Sequence, residues 1–178
     1  KEDALNRYNY LKNLDKNLRH NNDIQRKIKE LIIQIQGYAE ASRVSLYNYH
    51  NGVKTHYDYC MNYISMVEEK TDGIVAPLID TFQRVPACLF RPILDRVYDS
   101  DVGRIMIREI DLSPEDRVIF EKYQNTVCYY YKVGSSVWEG VVELAWVNKS
   151  LYLSETEMDH IQRIVDQISD LQRQIVKI

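Results

Sequence analysis

Between Leu5 and Glu40 apolar residues recur at helical spacing with no proline among them, which predicts one long helix. Leu11, Leu14, Leu18, Ile28, Ile32, Ile35 and Ala39 share the a and d positions of one heptad register, and Asn21 and Gln25 take two more positions of that seam. A polar residue in such a seam costs stability but fixes partner alignment and oligomer state. A second stripe of Ile24, Leu31 and Tyr38 gives the helix two apolar faces, one to cover a sheet and one to meet a partner helix. The end of the chain repeats the pattern. Ile161, Ile164, Ile168, Leu171, Ile175 and Ile178 follow 3-4 spacing, with Met158 and Val165 beside them. A helix packing only on its own sheet needs a single stripe about 100° wide, and this seam runs on to the last residue. Two terminal helices of this kind predict a homodimer, with Leu11, Leu14, Leu18, Asn21, Gln25, Ile28, Ile32, Ile35, Ile161, Ile168, Leu171 and Ile175 at its interface. Packing of the two helices within one chain is the alternative.

Between the helices the period changes from 3.6 to two. Residues 43–49 alternate, with Val44, Leu46 and Asn48 on one face and Ser45, Tyr47 and Tyr49 on the other. His50, Asn51, Gly52 and Val53 read as a turn, and residues 57–67 as a second strand. Residues 71–83 have helical spacing, with Asp72 as cap and Ile74, Leu78, Ile79 and Phe82 on one side. Pro86 and Pro92 break the following segment into short strands and a short helix. Ser113 before Pro114 marks a strong helix start, and that helix runs to about Tyr123. Residues 126–133 and 137–147 are two β-rich runs about Gly134-Ser135-Ser136, an antiparallel hairpin. Ser154 and Glu157 then have capping-box spacing. This order defines an α+β class with a mostly antiparallel sheet, flanked by long N- and C-terminal helices. The chain divides into an N-terminal helix (1–41), a core (42–153) and a C-terminal helix packing with the first (154–178).

Composition narrows the function. A formal net charge of −3 and the lack of clustered Lys and Arg argue against a nucleic-acid surface. No apolar run reaches the length of a membrane span. The three cysteines, Cys60, Cys88 and Cys128, sit in apolar runs and read as reduced residues of a cytoplasmic protein. No local signature marks any of them for chromophore attachment. Fourteen tyrosines stand against three phenylalanines, so many aromatic positions carry a hydroxyl that needs a partner when buried. The six glycines do not cluster, and no nucleophile, phosphate-loop or zinc motif is present. The expectation is a protein that is not an enzyme and holds no cofactor.

Trp138, Glu139 and Gly140 on the last strand, followed by Leu153, the Ser154–Glu157 cap and a terminal helix, resemble the C-terminal half of a GAF domain, the PAS-related sensory and dimerisation module. The element order from Arg43 to Ile178 is similar too. Residues 43–52, ending in His50-Asn51-Gly52, also resemble GAF-like proteins of tailed phages and some bacteria. The resemblance implies a GAF/PAS-like fold and a regulatory role, with a pocket between sheet and overlying loops. Cyclic-nucleotide-binding GAF domains carry an Asn-Lys, Phe, Asp-Glu signature. Asn148-Lys149 matches its start, but Leu153 replaces the phenylalanine and Glu157-Met158 the acidic pair. Lys149 could still pair with Glu157.

Candidate ligand contacts follow from strand facing. Tyr47, Tyr49, Tyr129, Tyr131 and Trp138 alternate along strands, Glu139 and Glu143 share a face of the last strand, and Glu68 closes the second. Of these, Tyr47, Tyr49, Glu68, Tyr129, Tyr131, Trp138 and Glu139, with His50 and Asn51, form the predicted pocket, and carboxylates among aromatics suit a cationic or hydrogen-bonding ligand. The opposing interpretation is a half-exposed sheet face covered by the terminal helices. His50, His56 and Asp58 lack the convergent spacing of a metal site. Two functions fit: a sensory module that dimerises through its helices and binds a small ligand, or a ligand-free assembly protein of the same fold.

Overall fold

The structure is a computed structural model describing residues 2–54, 60–134 and 139–177, with side chains for 3–50, 63–134 and 139–177. His56, Asp58, Trp138 and the side chain of Asn51 therefore lie outside the described residues.

Helix α1 (Glu2–Ala39) is followed by strands β1 (Arg43–Lys54) and β2 (Cys60–Thr71). An irregular segment then leads to β3 (Val85–Pro86), a short 3-10 turn, α2 (Arg91–Asp99) and β4 (Arg104–Arg108). The chain continues through α3 (Pro114–Lys122), β5 (Asn125–Val133), β6 (Gly140–Val147) and α4 (Glu155–Arg173). The six strands form one sheet in the order β3-β2-β1-β6-β5-β4, and every pairing is antiparallel. This is an α+β fold with long terminal helices. Residues 50–53, expected as a turn, instead continue β1, where His50 pairs with Tyr63 and Asn51 with Asn62.

The expected helix over 71–83 does not form. Pro77 cannot donate into a helical ladder, and the carboxylates flanking the segment bind its amides in other ways. Asp72 Oδ1 accepts from Ile74 N at 2.9 Å and Val75 N at 3.2 Å, an Asx turn rather than a helix cap. Both capped helices are where their sequence signals put them. Ser113 Oγ accepts from Asp116 N at 3.2 Å. At α4, Glu157 N donates to Ser154 Oγ at 3.2 Å while Ser154 N donates to Glu157 Oε2 at 2.7 Å.

Each face of the sheet carries its own core. On one side α1 and α4 pack antiparallel, Tyr38 against His160 with ring centroids 4.2 Å apart and His20 Nε2 hydrogen-bonded to Gln174 O at 2.9 Å. Ile28, Ile32, Ile35, Ile161 and Ile168 are buried here with Val44, Leu46, Leu144 and Trp146, and Leu171 and Ile175 pack against them. These seam residues are occupied within the chain. The α4 seam also stops short of the expected end, because the helix closes at Arg173. Asn21 binds the same chain, donating to Val176 O at 2.8 Å and accepting from Val176 N at 2.9 Å. Gln25 is exposed. Toward the N-terminus α1 leaves the body: Leu11 and Leu18 are 52% and 46% exposed, and Leu14 is half-buried. Among the described residues no helix is long and apolar enough to cross a membrane.

Candidate functional site

The second core lies on the sheet face away from α1 and α4, beneath α2, α3 and the segment 72–84. Strand alternation aims Arg43, Ser45 and Tyr47 of β1 at this side. On β6 the residue opposite Ser45 is Glu143, and on β5 the residue opposite Glu143 is Tyr130. The three strands thus set a row of polar groups across an otherwise apolar floor. Above it is a cavity of about 30 Å³, lined by Arg43, Tyr47, Phe82, Tyr123, Asn125, Tyr130 and Glu143 with aliphatic side chains from β2, α2 and α3. That volume holds roughly two waters.

A buried ion pair closes one wall. Arg43 Nε stands 3.0 Å from Glu69 Oε2, with both side chains no more than 5% exposed. A buried pair is costly unless its remaining donors and acceptors are satisfied, and here the overlying segment supplies most of those partners. Glu69 accepts from Leu78 N at 2.9 and 3.0 Å and from Ile79 N at 3.2 Å, and Arg43 Nη2 donates to Ala76 O at 3.0 Å. Leu78 and Phe82 of the same segment line the cavity. The irregular segment is therefore a lid, and the ion pair is its latch.

Burial pushes the Glu143 carboxyl above the ordinary carboxylate range, an effect reinforced by the Glu69 charge and opposed by a hydrogen bond from Tyr130 and by Arg43. Burial likewise raises the Tyr47 and Tyr130 hydroxyls well above their usual range, so both remain neutral donors at physiological pH. The Cys128 thiol beside them is raised by burial as well, the reverse of an activated nucleophile. Ser45 Oγ, the Asn125 carboxamide oxygen and Arg43 Nε, which is ion-paired with Glu69 but not aligned for a hydrogen bond, have no hydrogen-bond partner among the described residues. Asn125 is 5% exposed and lines the cavity. Among the described residues no group of His, Cys, Asp and Glu is placed to hold a metal ion.

The residues expected at the pocket divide. Tyr47 lines the cavity. Tyr49 packs on the same core farther along β1, its hydroxyl pushed up to about 12 by burial. His50 bonds Ser65 Oγ at 2.9 Å and stacks on Tyr63, and it is not among the residues lining the cavity. Glu139 reaches β1 through its backbone, its carbonyl accepting from Tyr49 N at 2.9 Å. Three expectations are corrected. Tyr129 and Tyr131 belong to the helical core; the Tyr129 hydroxyl accepts from Leu153 N at 2.9 Å and its ring meets Trp146 edge-on. Glu68 faces α1, where the Lys29 charge acts on it, because it pairs with helix-facing Leu46. Lys149 lies 3.9 Å from Asp72, not against Glu157, which is spent on the helix cap. Arg43, Glu69, Asn125 and Tyr130 were not anticipated. Arg43 and Glu69 did carry a signal, charges placed within strand runs at core-facing parity.

Neither a protein-family model nor a curated protein sequence matches the chain. Solved structures do, and they define the fold as GAF-like. The phycocyanobilin-bound GAF domain of a cyanobacterial phytochrome superposes with a TM-score of 0.69 at 13% identity, covering 92% of each chain. The GAF domain of PixJ from Thermosynechococcus elongatus, in its blue-light-absorbing form, gives 0.65 at 14% identity over 88% of each. The phytochrome photosensory core module of Stigmatella aurantiaca gives 0.68 at 12% identity over 97% of this chain, which spans 38% of that protein.

Proposed function

We propose that this chain is a non-catalytic regulatory or sensory GAF-like domain that takes a small ligand into the cavity under its lid and pairs with a second copy through the free half of α1. The observation that carries it is the cavity itself, lined by Glu143, Tyr47, Tyr130 and Asn125, whose carboxamide oxygen has no hydrogen-bond partner among the described residues. The photosensory GAF domains of like fold support a sensing role. The cyanobacterial phytochrome GAF domain among them holds phycocyanobilin. A space of about 30 Å³ is far below the roughly 300 Å³ and more of a drug-sized pocket, so the ligand of this chain is much smaller. Dimerisation is supported by Leu11 and Leu18, which prolong on open helix the register that Ile28, Ile32 and Ile35 use in the core. Among the described side chains the thiols of Cys88 and Cys128 are free, which supports a cytoplasmic setting.

One observation favours the rival, a ligand-free assembly protein. Phe82 meets Tyr47, Phe90 and Tyr123 at centroid distances of 6.0, 5.9 and 5.2 Å, so aromatic side chains fill much of the space between lid and sheet. Native mass spectrometry before and after mild denaturation separates the two. The expected result is a dimer carrying a small added mass that unfolding releases. A dimer that stays free of added mass across candidate ligands would leave the assembly function in its place.

A further inference from the structure

Three polar groups around the cavity, Arg43, Glu69 and the Tyr130 hydroxyl, are already committed, and two acceptors, Glu143 and Asn125, have capacity left over. Arg43 is the one cation lining the cavity among the described residues, and it is held by Glu69 and the Ala76 carbonyl. Glu69 is saturated by the lid amides. Those two charges cancel, and Glu143 is the surplus. Tyr130 supplies a hydrogen bond to Glu143, yet a carboxylate offers about four acceptor sites. Asn125 adds a buried carboxamide oxygen with no donor facing it. The cavity therefore holds acceptors with capacity to spare and is negative by one charge when Glu143 is ionised.

We infer that this cavity receives a small organic cation, an alkylammonium head group, held by the Glu143 carboxylate and the Asn125 carboxamide oxygen between the rings of Tyr47, Phe82, Tyr123 and Tyr130. An ammonium group has three donors and no acceptor, which matches the leftover chemistry. Aromatic faces attract such a cation most when it is removed from water. Size agrees as well, since methylammonium has two heavy atoms and the space holds roughly two waters. An anion would instead meet Glu143 and an amide oxygen with no free cation to receive it. The inference rests on the cavity being a ligand site and names the class of ligand. Binding gains strength with pH. Glu143 is faced by Arg43 and Tyr47 of β1, Glu69 of β2, and Cys128 and Tyr130 of β5, and among these its own ionisation creates the surplus charge.

The test is an amide NMR titration of the intact chain with methylammonium chloride, with sodium chloride, acetamide and sodium acetate as matched probes. Methylammonium is expected to shift the amides of Tyr47, Asn125, Tyr130 and Glu143 where sodium chloride does not, more tightly at mildly alkaline than at acidic pH. Glu143→Gln should weaken it about tenfold or more, the effect of losing one charged hydrogen bond, whereas Asn125→Asp should tighten it. Shifts that neither variant alters, with both variants folded, would overturn the inference. Shifts produced by acetamide or acetate but not by methylammonium would overturn the cation class while leaving a ligand site. Silence from all three organic probes, together with no released mass in native mass spectrometry, would overturn both.

Discussion

Gly140 opens β6 where β1 leaves it almost no room. A Cβ built there would stand 2.1 Å from Tyr47 O and 2.9 Å from Asn48 Oδ1, and backbone cannot swing aside as a side chain can. Gly140→Ala should therefore cost about 2 kcal/mol or more, read as a lower urea midpoint with an unchanged denaturant slope. Glu143 makes a prediction of the opposite kind. Its folded-state pKa is raised, chiefly by burial, so the folded form holds the proton more tightly than the unfolded chain. Its contribution to stability is complete below the ordinary carboxyl range and declines from about pH 4 upward until the raised pKa is passed. Glu143→Gln removes the titrating group, and its stability curve should be flatter over that interval than that of the parent. Urea midpoints measured across it would show this, and parallel curves would refute it.

The lid shows how far an element can be inferred from its letters. Ile74, Leu78, Ile79 and Phe82 have helical spacing, but Ile74 is 87% exposed while Phe82 is buried. Of the four, only Leu78 and Phe82 line the cavity, and Pro77 is the residue that argues against a helix. The capping residues of α3 and α4 were legible because their chemistry is local. Strand facing was not. In β5, residues 127–131 are buried without alternation, since both faces of a sheet with two cores are covered. Which of Tyr129 and Tyr130 shares a face with Tyr47 is set by register across β6, and nothing within the strand encodes it. If the Arg43–Glu69 pair is the latch, Glu69→Ala should release the lid. Hydrogen exchange at the Leu78 and Ile79 amides should speed up strongly while the β5 and β6 amides keep their protection. Uniform acceleration across the sheet would mean that the pair supports the whole fold rather than the lid.

In the whole molecule, one heptad register runs through two settings along about 57 Å of α1. Its C-terminal half is core and its N-terminal half is free. Substituting Leu11 and Leu18 by glutamate should give a monomer by sedimentation velocity with an unchanged melting temperature. Ile32→Ala, by contrast, should lose about 2–5 kcal/mol through a cavity in the core. A parent that already sediments as a monomer would rule out the paired assembly. The terminal helices, the hairpin and the mixed class were readable because each depends on short-range pattern. The cavity was only partly so, because it assembles Arg43, Asn125, Tyr130 and Glu143 from three strands whose mutual register is a property of the folded sheet.

Trp146 lies fully buried among the helix-side residues, edge-on to Tyr129, with the sheet between its indole and the cavity. In a Trp138→Phe background it becomes the single indole of the chain. Its emission is then expected at short wavelength and sheltered from aqueous quenchers. A ligand that altered this fluorescence would do so without touching the ring. The optical change would therefore report that the β-sheet had carried a displacement from one of its faces to the other.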